Sequence, residues 1–219
     1  MNSLKLWTLV SGLIIISCNQ TIATIESEVK PLGIVGESND KIEIRNLIRQ
    51  VLNWSNSDKT ISLLPLLEDK KGRFYTGVDF VRHKKDLQKL KATDLFTTEF
   101  INNYNQIVAA IDKGMKDGRY GKSPVAELPI FNFASNVNPW CLCQDVPYDK
   151  PNPWSQIELE TLKLDAFRGA FNWKWGRPEI NTAPGWKEFR YRFHVIKENN
   201  KWKIDYLEGF NLKKSIAKS

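Results

Sequence analysis

The residues of this sequence whose types and spacing could do chemistry gather near its C-terminal end. They lie on two alternating segments, 186–197 and 201–210, joined by Asn199-Asn200. Consecutive asparagines tolerate the positive φ that a two-residue type I′ turn demands, so a β-hairpin is expected. Such a turn fixes the register, and register fixes the faces. Lys197 then pairs with Trp202, Val195 with Ile204, Phe193 with Tyr206, Tyr191 with Glu208 and Phe189 with Phe210, all on one aromatic face. Glu208 is the odd residue there. Burial of a carboxyl among rings disfavours its charged form and raises its pKa, the usual route to a general acid or base. Tyr191 and Tyr206 would flank it. The plainer alternative leaves Glu208 at the sheet end, solvated or paired with a lysine.

The opposite face sets His194 against Asp205, but no Ser or Cys nucleophile can be placed beside them. An exposed cross-strand pair of that kind is commonly a sheet stabiliser. His83, between Arg82 and Lys84, reads as a solvated helix residue. Trp173 and Trp175 share a strand face, and Trp140 and Trp154 lie in or beside an irregular stretch. Such rings either stack on sugars and planar ligands or fill a core, and core is the commoner fate at this spacing. Asp145 is the best loop carboxylate for a pocket rim, although an Asp shortly before Pro147 also suits a turn cap.

Cys141 and Cys143 form a C-x-C pair. With two histidines in the chain and one further Cys, Cys18, they fall short of a zinc site. They read as two buried free thiols or, in an oxidising compartment, as a labile bridge. There is no glycine-rich phosphate loop, no H-E-x-x-H and no G-x-S-x-G, which speaks against nucleotide use, metalloproteolysis and hydrolase-fold esterase chemistry. No cofactor is expected.

The elements that must position these groups are legible as periodicity. Ser38 or Asp40 caps a helix over about 40–56, with Ile44, Leu47, Ile48, Val51 and Leu52 as its buried stripe. Asp79 caps a second helix to about Leu90. A third starts at Thr93 or Thr98, carries Phe100, Tyr104, Ile107, Val108 and Ile111 inward, and stops at Asp117-Gly118. Residues 119–155 are irregular and proline-rich, and long loops of that kind are often functional. Strands follow over 156–164 and 167–175, the latter with Phe167, Phe171, Trp173 and Trp175 on one side, and then the hairpin. Helices first and antiparallel strands last make an α+β domain. Its pocket, if any, lies between the helices and the aromatic face, lined by Glu208, Tyr191, Tyr206 and Trp173 with the 138–147 loop at its mouth.

The chain has 219 residues and a formal charge of +7. Without residues 1–17, which hold Lys5 and no acid, the rest keeps 31 basic against 25 acidic residues. The basic residues are dispersed rather than arranged in a stripe with interleaved aromatics, so nucleic acid is not an expected partner. A basic face beside anionic headgroups is the simpler reading.

Residues 6–16 form an apolar stretch too short to span a bilayer but right for a signal-peptide core. Ile15-Ile16-Ser17-Cys18 after it resembles the lipobox of bacterial lipoproteins, which implies acylation of Cys18, cleavage before it, and a place in the cell envelope. An ordinary secretory signal is the alternative. The resulting division is 1–17 signal peptide, 18–37 lipidated tether, 38–212 domain and 213–219 tail. The element order, and above all Phe189 to Val195 with Lys201 to Tyr206, resembles the nuclear-transport-factor-like or cystatin-like cone fold. Asn138-Pro139-Trp140 to Gln144-Asp145 is similar to a loop of uncharacterised bacterial envelope proteins of that fold. The resemblance implies a curved antiparallel sheet packed by helices, and a superfamily too diverse to fix function. The expected role is a binding or accessory module for a small molecule, glycan or protein partner, held at the membrane by the lipid anchor. The alternatives are a cofactor-free acid–base enzyme and an inhibitor or immunity-type protein-binding module.

Overall fold

The computed structural model describes residues 38–127, 131–147, 152–176 and 184–217, which belong to one compact unit. The expected signal peptide, Cys18 and the tether lie outside the described residues. The domain is α+β: helices packed on one face of an antiparallel sheet, with a second, smaller sheet beside them.

Helix α1 (Asn39–Ser55) buries Ile44, Leu47, Ile48, Val51 and Leu52, the stripe that its spacing predicts. Ser38 stands at the N-cap without a side-chain hydrogen bond. Asp40 serves the tertiary structure instead: its carboxylate accepts from Lys197 Nζ at 2.9 Å and from Trp202 Nε1 at 2.8 Å. Those bonds tie α1 to the hairpin and hold the Asp40 carboxyl below its ordinary pKa, the Lys197 ammonium contributing most. Strands β1 (Leu66–Glu68) and β2 (Phe74–Val78) pair antiparallel, and β3 (Ser123–Pro124) adds a third short strand. This sheet is invisible as sequence periodicity because its members have only 3, 5 and 2 residues.

Helix α2 (Phe80–Ala92) is capped by Asp79, which accepts from the N–H groups of Val81 and Arg82. Helix α3 (Thr98–Lys116) is capped by Thr97, one residue before Thr98, and its stripe from Phe100 to Ile111 is fully buried. His83 is not solvated: it is 1% exposed. The residues His83, Leu87 and Leu90 recur at i, i+4 and i+7, so the histidine shares the apolar stripe that packs on α3. Its Nε2 lies 3.0 Å from Asn105 Oδ1, and its ring meets Tyr104 edge-on at 5.3 Å.

The main sheet is a meander of β4 (Ile157–Leu164), β5 (Arg168–Trp175), β6 (Tyr191–Glu198) and β7 (Lys201–Leu207). Asn199 and Asn200 turn the last hairpin with φ of 49° and 63°, as the sequence demands. The register near the turn is also as expected, with Lys197 opposite Trp202 and Val195 opposite Ile204. Beyond it a β-bulge shifts the pairing, so His194 faces Tyr206 and Phe193 faces Leu207. The expected pairs Phe193–Tyr206, Tyr191–Glu208 and His194–Asp205 therefore do not form. The bulge sits where the α2–α3 link docks on the free edge of β7. Ile204 donates its N–H to Leu95 and accepts from Thr97 N–H, and the Thr97 hydroxyl donates to Asp205 Oδ1 at 2.9 Å. Leu207, out of step with Trp202 and Ile204, is the sequence signal of that extra residue.

Two further boundaries differ. Residues 184–188 form a single helical turn, α4 (Pro184–Glu188), so the strand begins at Tyr191. Glu208–Phe210 is a 3-10 turn, followed by α5 (Leu212–Ser215). Phe167 precedes β5 and is 69% exposed, apart from the buried Phe171, Trp173 and Trp175.

Candidate functional site

The space between the helices and the aromatic face of the sheet, where a pocket is expected, is occupied by side chains. Tyr191 and Trp173 are fully buried, their rings stacked 5.6 Å apart, and Trp173 also meets Trp154, Trp175 and Phe189. Trp140 enters from the loop and lies 4.6 Å from Phe210, with Trp54, Phe96 and Phe100 around it. Trp140, Trp173 and Trp175 are therefore core residues rather than a stacking platform. The loop that contains Trp140 stoppers the end of the domain.

Two polar contacts seat that stopper. The Tyr191 hydroxyl donates to the Pro139 carbonyl at 2.8 Å and accepts from Gly209 N–H at 3.2 Å. Burial, the leading cause, pushes the Tyr191 phenol well above its ordinary pKa, so it stays a neutral donor. Gly209 runs so close beneath the loop that a Cβ there would collide with the Pro139 carbonyl. Further along, Phe133 N–H donates to Ser215 and Asn132 N–H to Ala217, which stitches the loop to the C-terminal turn.

Cys141 and Cys143 are joined by a disulfide, the second of the two readings open from sequence. Around them the chain folds tightly: Leu142 N–H donates to Asn138 O at 2.7 Å and Asn138 N–H to Cys143 O at 3.1 Å. Leu142, between the cysteines, has φ of 52°, a left-handed conformation that a branched side chain adopts only under constraint. The small ring supplies that constraint. Leu142 is half-buried, packed against the edge of the core, and forms the ridge shared by the linings of two surface grooves.

A groove runs along each side of the ridge. One, of about 430 Å³, is lined by Val137, Leu142, Cys143, Trp186 and Phe189, with Gln144 and Asp145 at its polar edge. The other, of about 440 Å³, is lined by Phe133, Val137, Pro139, Leu142, Glu208 and Lys214 among others. Val137 and Leu142 belong to both. Asp145 is exposed and accepts from the N–H of Val146 at 2.7 Å, so it is both turn cap and rim. Glu208 is not an isolated carboxyl on the aromatic face. It sits in the 3-10 turn, 3.0 Å from Lys214 Nζ, and accepts from Arg192 N–H at 3.2 Å. Tyr206 faces the other side of the sheet, its ring 4.8 Å from that of His194.

The structure thus brings Asp145 and Glu208 to the two sides of one loop and separates them from Tyr206, Trp173 and Trp175. Sequence reasoning missed Leu142, Val137, Trp186 and Phe189 as surface residues. A C-x-C pair flanking a leucine is the signal that could have found the first. Among the described residues, no group of three His, Cys, Asp or Glu is placed to hold a metal ion, and no helix is long and apolar enough to cross a membrane.

Comparison with protein families, with curated proteins and with solved structures finds no significant match.

Proposed function

We propose that this chain is a bacterial envelope lipoprotein, acylated at Cys18, whose domain is a binding module for a protein partner. The partner meets the Leu142 ridge and its two grooves. One observation carries the reading: the interior of the domain is packed with aromatic side chains, whereas the Leu142 ridge stands between two apolar grooves at the surface. Small-molecule sites are concave and bury most of their ligand. A ridge between shallow grooves suits a partner that presents complementary apolar side chains around it. Trp186 and Phe189 are of the aromatic types enriched in protein interfaces, Leu142 adds apolar surface between the grooves, and Gln144, Asp145 and Lys214 supply a polar rim.

The anchor reading rests on the lipobox-like tetrad that ends at Cys18. Mass spectrometry of the protein extracted from membranes tests it: a diacylglyceryl-modified Cys18 at the mature N-terminus is expected, and an unmodified Cys18 or a start elsewhere overturns it. The surface is tested by placing a photo-reactive phenylalanine analogue at position 186, and separately at the exposed Leu162, in cells of the source organism. A discrete adduct from 186 and none from 162 is expected. Equal adducts from both, or none from either, contradicts the reading.

A further inference from the structure

We propose that the domain has a second, anchor-independent membrane contact: the end formed by β1–β3, the start of α2 and the end of α3 docks on anionic lipid headgroups. The proposal deepens the envelope reading and takes its location from it.

Three of the large exposed hydrophobic residues lie together here: Val81 at 71%, Leu67 at 45% and Phe80 at 43%. Leu67 and Gly77 are paired across β1 and β2, and Asp79 N–H returns to Pro65 O, so the strand end and the helix start are neighbours. On α2 the residues His83, Asp86 and Leu90 point inward. At 100° per residue, Val81 then points directly away from the core, with Lys84 and Lys85 about 40–60° to either side of it and Lys89 on the flank. Arg82, Lys84 and Lys85 have no ion pair with a described residue. Lys116 Nζ lies 5.9 Å from the centre of the Phe80 ring, and Lys122 and Arg73 lie 5.5 and 5.6 Å from that of Phe74.

Charge concentrates at this end. Residues 66–85 and 112–122 hold ten Lys and Arg against five Asp and Glu, a net of +5. One of the five acids, Asp112, is buried. Apolar tips beside the unpaired Arg82, Lys84 and Lys85, with the ion-paired Arg73 and Lys116 near them, are the chemistry of an interfacial lipid surface: the tips enter the boundary between headgroups and acyl chains while the cations meet phosphate. Val81 and Leu67, the more exposed of the three tips, are aliphatic, which leaves Phe80 as the single large exposed ring of the patch among the described residues on which a nucleic-acid base could stack.

The test uses the mature chain from position 18 carrying Cys18→Ser, which has neither the apolar segment 6–16 nor an acylation site, in flotation with vesicles of phosphatidylcholine alone or with roughly one-third phosphatidylglycerol, at about 0.1 M salt. Differences between variants then report on the patch. Val81→Asp and Lys84→Glu/Lys85→Glu are each expected to lower binding to the anionic vesicles by about tenfold or more. Leu162→Asp, on another face, is expected to bind as the parent does. Unchanged thermal midpoints confirm that the variants fold. Equal binding to both vesicle types, or parental binding by Val81→Asp, overturns the proposal. So does a lysine-dependent loss mirrored in binding to single-stranded DNA and indifferent to Val81. The acylation state of Cys18 is read separately, so failure here and failure of the anchor reading are distinguishable.

Discussion

The hydroxyl of Tyr191 reaches from inside the core to the carbonyl of Pro139, 2.8 Å away, and holds an otherwise irregular loop against the end of the sheet. The same oxygen accepts from Gly209 N–H. One buried side chain thus joins β6, the disulfide loop and the turn after β7. Tyr191→Phe keeps the ring packing and leaves the Pro139 carbonyl and the Gly209 N–H without this partner. A loss of about 1–3 kcal/mol in chemical denaturation is expected, with faster amide exchange in residues 138–143 than in β5.

Gly209→Ala makes a complementary prediction. A methyl group at that position meets the Pro139 backbone rather than a side chain that could turn away. The loop or the 3-10 turn must shift, at a cost of about 1–3 kcal/mol for overpacking. Circular dichroism of the aromatic region should change with it, because Trp140 and Phe210 move with the two segments.

His83 gives the domain a pH dependence of definite sign. Burial lowers its pKa below the ordinary 6.5, and the Asn105 hydrogen bond and the Asp86 charge offset this only in part. Below pH 6.5 the unfolded chain binds a proton that the folded imidazole resists, so stability falls with acidification until the folded pKa is passed. Above 6.5 the contribution is fully present. His194 is lowered by burial as well and adds in the same direction. His83→Gln should flatten the slope of unfolding free energy against pH without abolishing it. A slope equal to that of the parent would place the titration elsewhere.

Glu208→Gln removes the ionisable group and keeps the shape. Because Glu208 pairs with a mostly exposed Lys214, a change of at most about 1 kcal/mol in stability is expected. Partner binding should persist, since the ridge beside it is apolar. Loss of all binding with folding intact would return Glu208 to the centre of the site.

The helices were legible because their apolar stripes are long and regular: Ile44 to Leu52 and Phe100 to Ile111 are buried as their spacing predicts. The Asn199-Asn200 turn was legible because its φ requirement is local. The far half of the hairpin was not, because the bulge at Asp205 depends on a docking segment from 95–97 that lies remote in sequence. An unbulged hairpin would put Tyr206 and Glu208 on the aromatic face, where the sequence leads one to expect a pocket. His83 was misread because its polar neighbours, Arg82 and Lys84, hide the i, i+4, i+7 pattern that it shares with Leu87 and Leu90. Asp145 lies at the polar edge of a groove, but the apolar residues that line that groove belong to a loop without periodicity. Only tertiary contacts show which of its side chains turn outward.

The central claim is that Leu142 is the anchor of a protein-binding surface, and calorimetry on the cross-linked partner tests it most directly. Once the adduct from position 186 identifies that partner, its affinity is measured for the parent domain and for Leu142→Asp. Charging a residue at the centre of an interface typically costs 2 kcal/mol or more, so a loss of about thirtyfold or greater is expected while the domain keeps its cooperative thermal unfolding. An affinity within about twofold of the parent, where surface substitutions usually fall, would contradict the account.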